Sequence, residues 1–290
     1  MEKELIDEIN RHMAQYERQY NIHVLFWALR SSINIGIKRR NSDLDIMFAY
    51  AASSRNDCLG IHDITGHGLD FWGTEIHEIL DTISSNNTKT YETDEMQPPH
   101  FLSSQHRRAG CSYYFGIYST IGNPYAVEYG SFLTNTRSLF LDMFEKKIAI
   151  LELLSAVKTT AHNIKYWRKV YLYDYLYAIW RLVLAKHIAH GGLPGENNIY
   201  DLVQKYCPAA LADRIKDYLF LYKETYTKES VFIQIEEFNQ FILKEYSEME
   251  AVVLNMPYEK KPLYIDACKR IEKIIDQYQN KPRKEHMAGL

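Results

Sequence analysis

Two aspartates one residue apart, Asp43 and Asp45, open the apolar run Asp43-Leu44-Asp45-Ile46-Met47-Phe48. Side chains alternate faces along a strand, so both carboxylates point one way while Leu44 and Ile46 point the other. Like charges placed side by side repel, and they stay ionised together only with a cation between them. Hard oxygen ligands on a rigid strand suit Mg²⁺, or Mn²⁺ in its place, arriving with substrate phosphates. A third carboxylate, Asp70, lies on a later short apolar segment. If the two segments are neighbouring strands, Asp43, Asp45 and Asp70 converge. Two metals about 4 Å apart could then activate an attacking hydroxyl and stabilise a leaving pyrophosphate.

Small and basic residues stand just upstream. Ser31 and Ser32, read at a strand-to-helix turn, can present amides and hydroxyls to phosphate oxygens. Lys38, Arg39 and Arg40 follow in the same loop and can neutralise phosphate charge, although each alone reads equally well as a solvated cation. Other polar groups compete for attention. His62, Asp63, His67, His77 and Glu78 carry side chains suited to a metal hydrolase. They lack helical His-x-x-x-His spacing, and alternation on short strands splays them apart. His187 and His190 fit a complemented helix C-terminus. Asn123, Pro124 and Glu128 read as a cap and helix start, with substrate contact by Glu128 the sharper option. The aromatic run Tyr166, Trp167, Tyr171, Tyr173, Tyr175 and Tyr177 could stack bases, but spacing of two cannot hold one helix face, so packing is the expected role.

The elements that must position these residues follow from periodicity. Leu5, Ile6, Ile9, Met13, Tyr16 and Tyr20 recur at helical spacing, giving an amphipathic first helix. Residues 23–29 and 43–51 are apolar, β-branched and aromatic, and read as strands joined by a loop. Residues 58–64 and 69–72 read as two short strands around Thr65-Gly66-His67-Gly68. Thr74 is expected to cap a helix over 75–83. Residues 84–108 are polar, contain two prolines and show no period, and read as a long surface loop or insertion. From Tyr113 onward the pattern is helical: a short helix from Asn123-Pro124, then 140–158, 171–190 ended by Gly191-Gly192, 201–206, 211–226, 231–250 and 262–279.

The chain of 290 residues, 46% hydrophobic, has apolar content enough for a real core. A net charge of −3 leaves no global basic field, so any phosphate or RNA contact must be local. Cys58, Cys111, Cys207 and Cys268 are scattered without metal-type spacing and fit a reducing cytoplasm. No apolar window reaches membrane-spanning length uninterrupted. The expected architecture is α+β: a mixed sheet with flanking helices over 1–135, with an insertion at about 84–118, followed by a helical domain over 136–290.

In these residues the chain resembles the DNA polymerase β nucleotidyltransferase superfamily, and within it the YcgL-like (RlaP, RNA-repair-pathway) predicted nucleotidyltransferases. The family pattern E-S-G-S-R-A-W-G-F-A-S-P-D-S-D-Y-D-V aligns without a gap, matching Ser32, Gly36, Ser42, Asp43 and Asp45. Its L-D-I-N-G-W-D-L element is similar to the stretch from Leu69 to Ile76. Its G-N-P-x-x-x-E-W-L element is similar to Gly122 to Gly130, and its Y-L-Y-A-L-R-P-L-L-A helix to Tyr175 to Ala185. The order is conserved across residues about 20 to 190.

The resemblance implies metal-dependent transfer of a nucleoside monophosphate from an NTP to an acceptor hydroxyl, with RNA repair as its setting. Asp43, Asp45 and Asp70 would be the metal ligands, Asp70 also the general base, and Ser31, Ser32, Lys38 and Arg39 the nucleotide-binding group. The NTP would lie in a cleft between sheet and helical domain. Two departures stand out. Ser31 replaces the motif glycine, used where backbone approaches phosphate closely, and Ile33 replaces the following arginine. A catalytically weak or silent nucleotidyltransferase-fold module, binding a partner in antitoxin-like fashion, is the second expectation.

Overall fold

Apolar side chains spaced by three and four build the first helix, α1 (Lys3–Tyr20), which buries Ile9, Met13 and Tyr16. The computed structural model describes residues 3–30, 32–39, 42–52, 60–66, 68–92, 114–166, 170–224, 234–257 and 264–279. Four strands follow the helix: β1 (Ile22–Leu29), β2 (Leu44–Ala52), β3 (Ile61–Ile64) and β4 (Leu69–Glu75). Then come α2 (Ile76–Glu92), α3 (Tyr114–Ile121) and a two-residue strand, β5 (Val127–Glu128). The rest is helical: α4 (Phe132–Asp142), α5 (Lys146–Lys165), α6 (Leu172–Ala189), α7 (Ile199–Tyr206), α8 (Ala209–Glu224), α9 (Glu236–Asn255) and α10 (Tyr264–Gln279). The fold is α+β, a five-stranded mixed sheet with flanking helices and a helical C-terminal region.

The strands lie in the order β3-β4-β2-β1-β5, with β2 and β4 parallel and the other pairs antiparallel. Both faces are covered, which is why the central strands are apolar almost throughout. On one face α1 packs against Trp27, Ile46, Phe48, Tyr50 and Phe71. Tyr16 stacks on Phe48 with ring centroids 5.6 Å apart and meets Phe71 edge-on. Asn10 ties this layer down, accepting from the Trp27 indole N–H at 3.0 Å and the Tyr129 hydroxyl at 2.7 Å. Burying one such ring contributes roughly 1.5–3 kcal/mol.

On the other face Phe26, Met47, Ala49 and Ala51 join a larger core with Ile76, Ile117, Phe132 and the helical region. A β-bulge between Val24 and Phe26 turns the consecutive residues Leu25 and Phe26 into this one core, while Val24 and Trp27 face the α1 layer. Within the helical region α6 is apolar on nearly every side and is wrapped by α5, α7, α8 and α9. The last helix returns to the sheet: Gln279 donates to the Ala52 carbonyl at 2.8 Å, and the Tyr278 hydroxyl to the Gly130 carbonyl. Among the described residues no helix is long and apolar enough to cross a membrane.

Several expectations need correction. The cap of α2 is Glu75, whose carboxylate accepts from the backbone N–H of His77 at 2.6 Å and of Glu78 at 3.3 Å; Thr74 and Glu75 themselves end β4. The helix runs on to Glu92, so the first nine residues of the expected loop are helical. The remainder of that loop up to residue 113 lies outside the described residues, as do Cys58 and Cys111. Asn123-Pro124 starts no helix; it forms a turn into β5, which pairs with Phe26 and Trp27. The stretch expected as one helix over 140–158 is divided, α4 ending at Asp142 and α5 starting at Lys146 under a Glu145 cap.

Candidate active site

Asp45 and Asp70 are direct partners across the parallel β2–β4 pair. Partners in register on adjacent strands project from the same side of a sheet, so both carboxylates leave the same face. It is the face of Met47 and Ala49, turned toward the helical region rather than toward α1. Asp43 stands two residues before Asp45, immediately ahead of β2, with its Oδ1 3.2 Å from where a Cβ on Gly68 would lie. The Leu44 N–H donates to the Gly68 carbonyl at 2.8 Å, which locks the entry of β2 to the β3–β4 turn. Gly68 has φ +74°, a backbone state that glycine adopts without steric penalty. The turn therefore brings Asp43 to the sheet end that carries Asp45 and Asp70.

Asp63 marks the opposite side. It accepts from the Tyr16 hydroxyl at 2.7 Å beneath α1 and takes no part in the cluster. Burial, reinforced by this acidic partner, pushes the Tyr16 hydroxyl well above its ordinary pKa. Asp70 Oδ1 lies 2.9 Å from His62 Nε2, and the His62 ring stacks on Trp72 at 3.7 Å. Carboxylate oxygens match Mg²⁺ or Mn²⁺ in donor chemistry. As placed, however, no three His, Cys, Asp or Glu side chains among the described residues lie close enough to share a metal. One Asp70 oxygen is engaged by His62 instead.

The loop between β1 and β2 differs from the expected strand-to-helix turn, because no helix follows it. Residues 32–36 form a tight turn, with Ile37 N–H donating to the Ser32 carbonyl at 2.7 Å and Gly36 N–H to the Ile33 carbonyl at 3.1 Å. Gly36 takes φ +83° there. Ile35 and Ile37 are buried, and the Ile199 N–H at the start of α7 donates to the Ile35 carbonyl at 2.9 Å. Two apolar side chains have turned this loop inward against the helices. Ser31 and Arg40 lie outside the described residues; Ser32, Lys38 and Arg39 are each partly exposed. Arg39 reaches across to α8, its guanidinium carbon 5.5 Å from the Tyr222 ring centroid.

The Gly122-Asn123-Pro124 segment positions β1. Asn123 donates from its side chain to the Leu29 carbonyl at 3.1 Å and accepts from Tyr125 N–H at 2.8 Å. Arg137 of α4 secures the same turn by donating to the Ile121 and Asn123 carbonyls. Glu128 accepts from the Thr134 N–H at 2.8 Å and from its hydroxyl, capping α4. These residues hold the strand end from which the 31–42 loop departs.

The chain matches no family model, no curated protein and no solved structure. The site therefore stands on its own geometry.

The histidines do not converge. His62 faces Asp70, His77 Nδ1 lies 2.9 Å from Glu75 Oε1, and His67 is outside the described residues. His187 bridges the Tyr206 hydroxyl at 3.0 Å and Glu196 at 2.9 Å, while His190 Nδ1 is 2.7 Å from the Lys186 carbonyl. Tyr175 and Tyr177 are buried, as packing required, and Trp167 is outside the described residues. Sequence reasoning did not pair His62 with Asp70 or Arg39 with Tyr222. The first pair was within reach of strand alternation across a four-residue turn. The second joins residues so far apart in the chain that no local pattern signals it.

Proposed function

We propose that this protein has a nucleotidyltransferase fold and transfers a nucleoside monophosphate from an NTP to an acceptor hydroxyl, with an RNA end as the acceptor class that the resemblance implies. The observation that supports this reading is the in-register pairing of Asp45 with Asp70, with Asp43 just ahead of β2 at the same sheet end. Asp43, Asp45 and Asp70 would hold Mg²⁺ or Mn²⁺. Such ions, when bound, lower the pKa of an attacking hydroxyl and neutralise a leaving pyrophosphate.

The remaining work falls to the chain's own side chains. Asp70 is the base that takes the proton from the acceptor hydroxyl as its oxygen bonds to the α-phosphorus and the bond to pyrophosphate breaks. His62, stacked on Trp72, fixes the orientation of that carboxylate. Ser31 and Ser32 with Lys38 and Arg39 take the phosphates, and the buried Ile35 and Ile37 anchor their loop. Incubating the protein with Mg²⁺ and each labelled NTP, beside Asp43→Ala and Asp45→Ala, tests the reading. Metal-dependent nucleotide binding and transfer by the parent alone is expected.

A second reading, a silent nucleotidyltransferase-fold module with an antitoxin-like partner, draws on the same His62–Asp70 contact, because an oxygen held by histidine is not offered to a cation. It expects nucleotide binding unaffected by metal and no transfer.

A further inference from the structure

Arg39 has an unusual setting. Its Nη1 is buried and has no hydrogen-bond partner among the described residues. A buried donor left without an acceptor is uncommon in a folded protein and calls for an explanation, an unseen ligand group among them. The guanidinium lies 5.5 Å from the Tyr222 ring centroid, so an aromatic face holds the charge in place without meeting its hydrogen-bonding capacity.

The next residue of α8 repeats the device in reverse. Lys223 Nζ is 4.7 Å from the Tyr200 ring centroid, and Tyr200 Cδ2 lies 3.4 Å from where a Cβ on Gly36 would be. One cation–aromatic contact thus joins the β1–β2 loop to α8 at Tyr222, and a second, on the next α8 position, joins α8 to the α7 ring that packs beside Gly36. At the other end of the loop, Ser42 donates to the Arg39 carbonyl from its N–H at 3.3 Å and its hydroxyl at 3.0 Å, immediately before Asp43. Arg39 is therefore fixed both to the helical region and to the acidic strand end.

The rings also discriminate between ligand chemistries. Tyr222 is buried, and so is Tyr177, which lies beyond Tyr173 in the same cluster. Buried rings offer no free face for a stacked base. Arg39 Nη1 has no acceptor among the described residues, and phosphate oxygens supply one.

We infer that Arg39 is a phosphate seat completed by the helical region: clamped on Tyr222, it receives the polyphosphate of a nucleoside triphosphate. This rests on the nucleotidyltransferase reading for the identity of the ligand, but the seat needs neither metal nor the aspartates. Tyr222 is its positioning residue.

The test is calorimetric binding of ATP and of inorganic tripolyphosphate to the full chain in EDTA. Both should bind the parent without metal. Arg39→Gln should weaken both at least tenfold, Arg39→Lys should recover part of the loss, and Tyr222→Phe should retain the ring and bind as the parent does. Failure of either ligand to bind in EDTA, or an Arg39→Gln protein that binds as well as the parent, overturns the seat. Binding that holds in EDTA while no NMP transfer occurs with Mg²⁺ leaves the seat standing and removes the transferase reading.

Discussion

Asp45 and Asp70, 25 residues apart in sequence, are direct partners on the parallel strands β2 and β4, so their carboxylates leave one face of the sheet side by side. With Asp43 also at that end, the arrangement concentrates carboxylates there, with the His62 ring 2.9 Å from Asp70. Folding tolerates such a cluster but gains from a cation that fills it. Asp45→Asn should therefore abolish the response to metal without harming the fold. Thermal unfolding in EDTA should match the parent within a few degrees, while Mg²⁺ or Mn²⁺ raises the midpoint of the parent and not of the variant. An equal rise in both proteins would place the metal elsewhere.

Gly73 offers a test of the layer beneath. It is the β4 partner of Phe48, and a Cβ there would come within 2.3 Å of the Phe48 ring. That ring is fully buried and stacked against Tyr16, so it has nowhere to go. Gly73→Ala should destabilise by about 1–3 kcal/mol through overpacking. Adding Phe48→Leu should make the alanine better tolerated than it is alone, a negative coupling that a double-mutant cycle in urea would measure.

The pH response follows from burial. Cys207 has its thiol pushed up to about 12 by burial, with Glu245 adding to the effect and Lys186 opposing it. Tyr16, Tyr129 and Tyr177 are raised by burial in the same direction. A group held protonated by the folded state stabilises it below the unfolded pKa and loses that contribution as pH rises. Stability should be flat with respect to these groups up to about pH 8.5, then fall through the thiol and phenol range of about 8.5–10 and beyond. Chemical unfolding at pH 7, 9 and 10.5 checks the slope. Iodoacetamide followed by mass spectrometry should find Cys207 at least tenfold slower at pH 8 than an unfolded peptide containing it, since the thiolate is the reactive species.

Much of this architecture was legible in local patterns. The spacing of Ile9, Met13 and Tyr16 announces α1, and the unbroken apolar stretches announce two central strands. Asp45 meets Asp70 because the short turn before Leu69 returns the chain beside β2; Asp43 falls just ahead of the strand, where alternation no longer fixes its face. What escaped depends on distant partners. Val127 and Glu128 form a strand only because β1 presents a free edge, and two residues carry no period. Glu75 outcompetes Thr74 as a cap because β4 runs three residues further than the expected 69–72. The polar continuation of α2 has no apolar stripe to declare it. The inward fold of the 31–42 loop needed Ile35 and Ile37 to find α7, a contact no local rule supplies.

The division at residue 135 makes a final testable point. Phe26, Met47, Ala49 and Ala51 on the sheet belong to the same continuous core as α5, α6 and α9. The last helix reinforces that union: Tyr278 is 2% exposed, meets Phe132 edge-on and bonds to Gly130, and Gln279 closes on the end of β2. A fragment of residues 1–135 would strip α5, α6, α9 and α10 from this face and leave only α2, α3 and the start of α4 on it, and an exposed apolar patch of several hundred Å² favours association over a monomeric fold. Such a fragment should aggregate or bind a hydrophobic dye with loss of near-ultraviolet dichroism. Removing only residues 264–290 should leave a folded but weaker protein, because α10 caps the core without forming its centre. A fragment 1–135 that unfolds cooperatively as a monomer would show instead that α1 and the sheet suffice, and that the helical region docks onto a unit already complete.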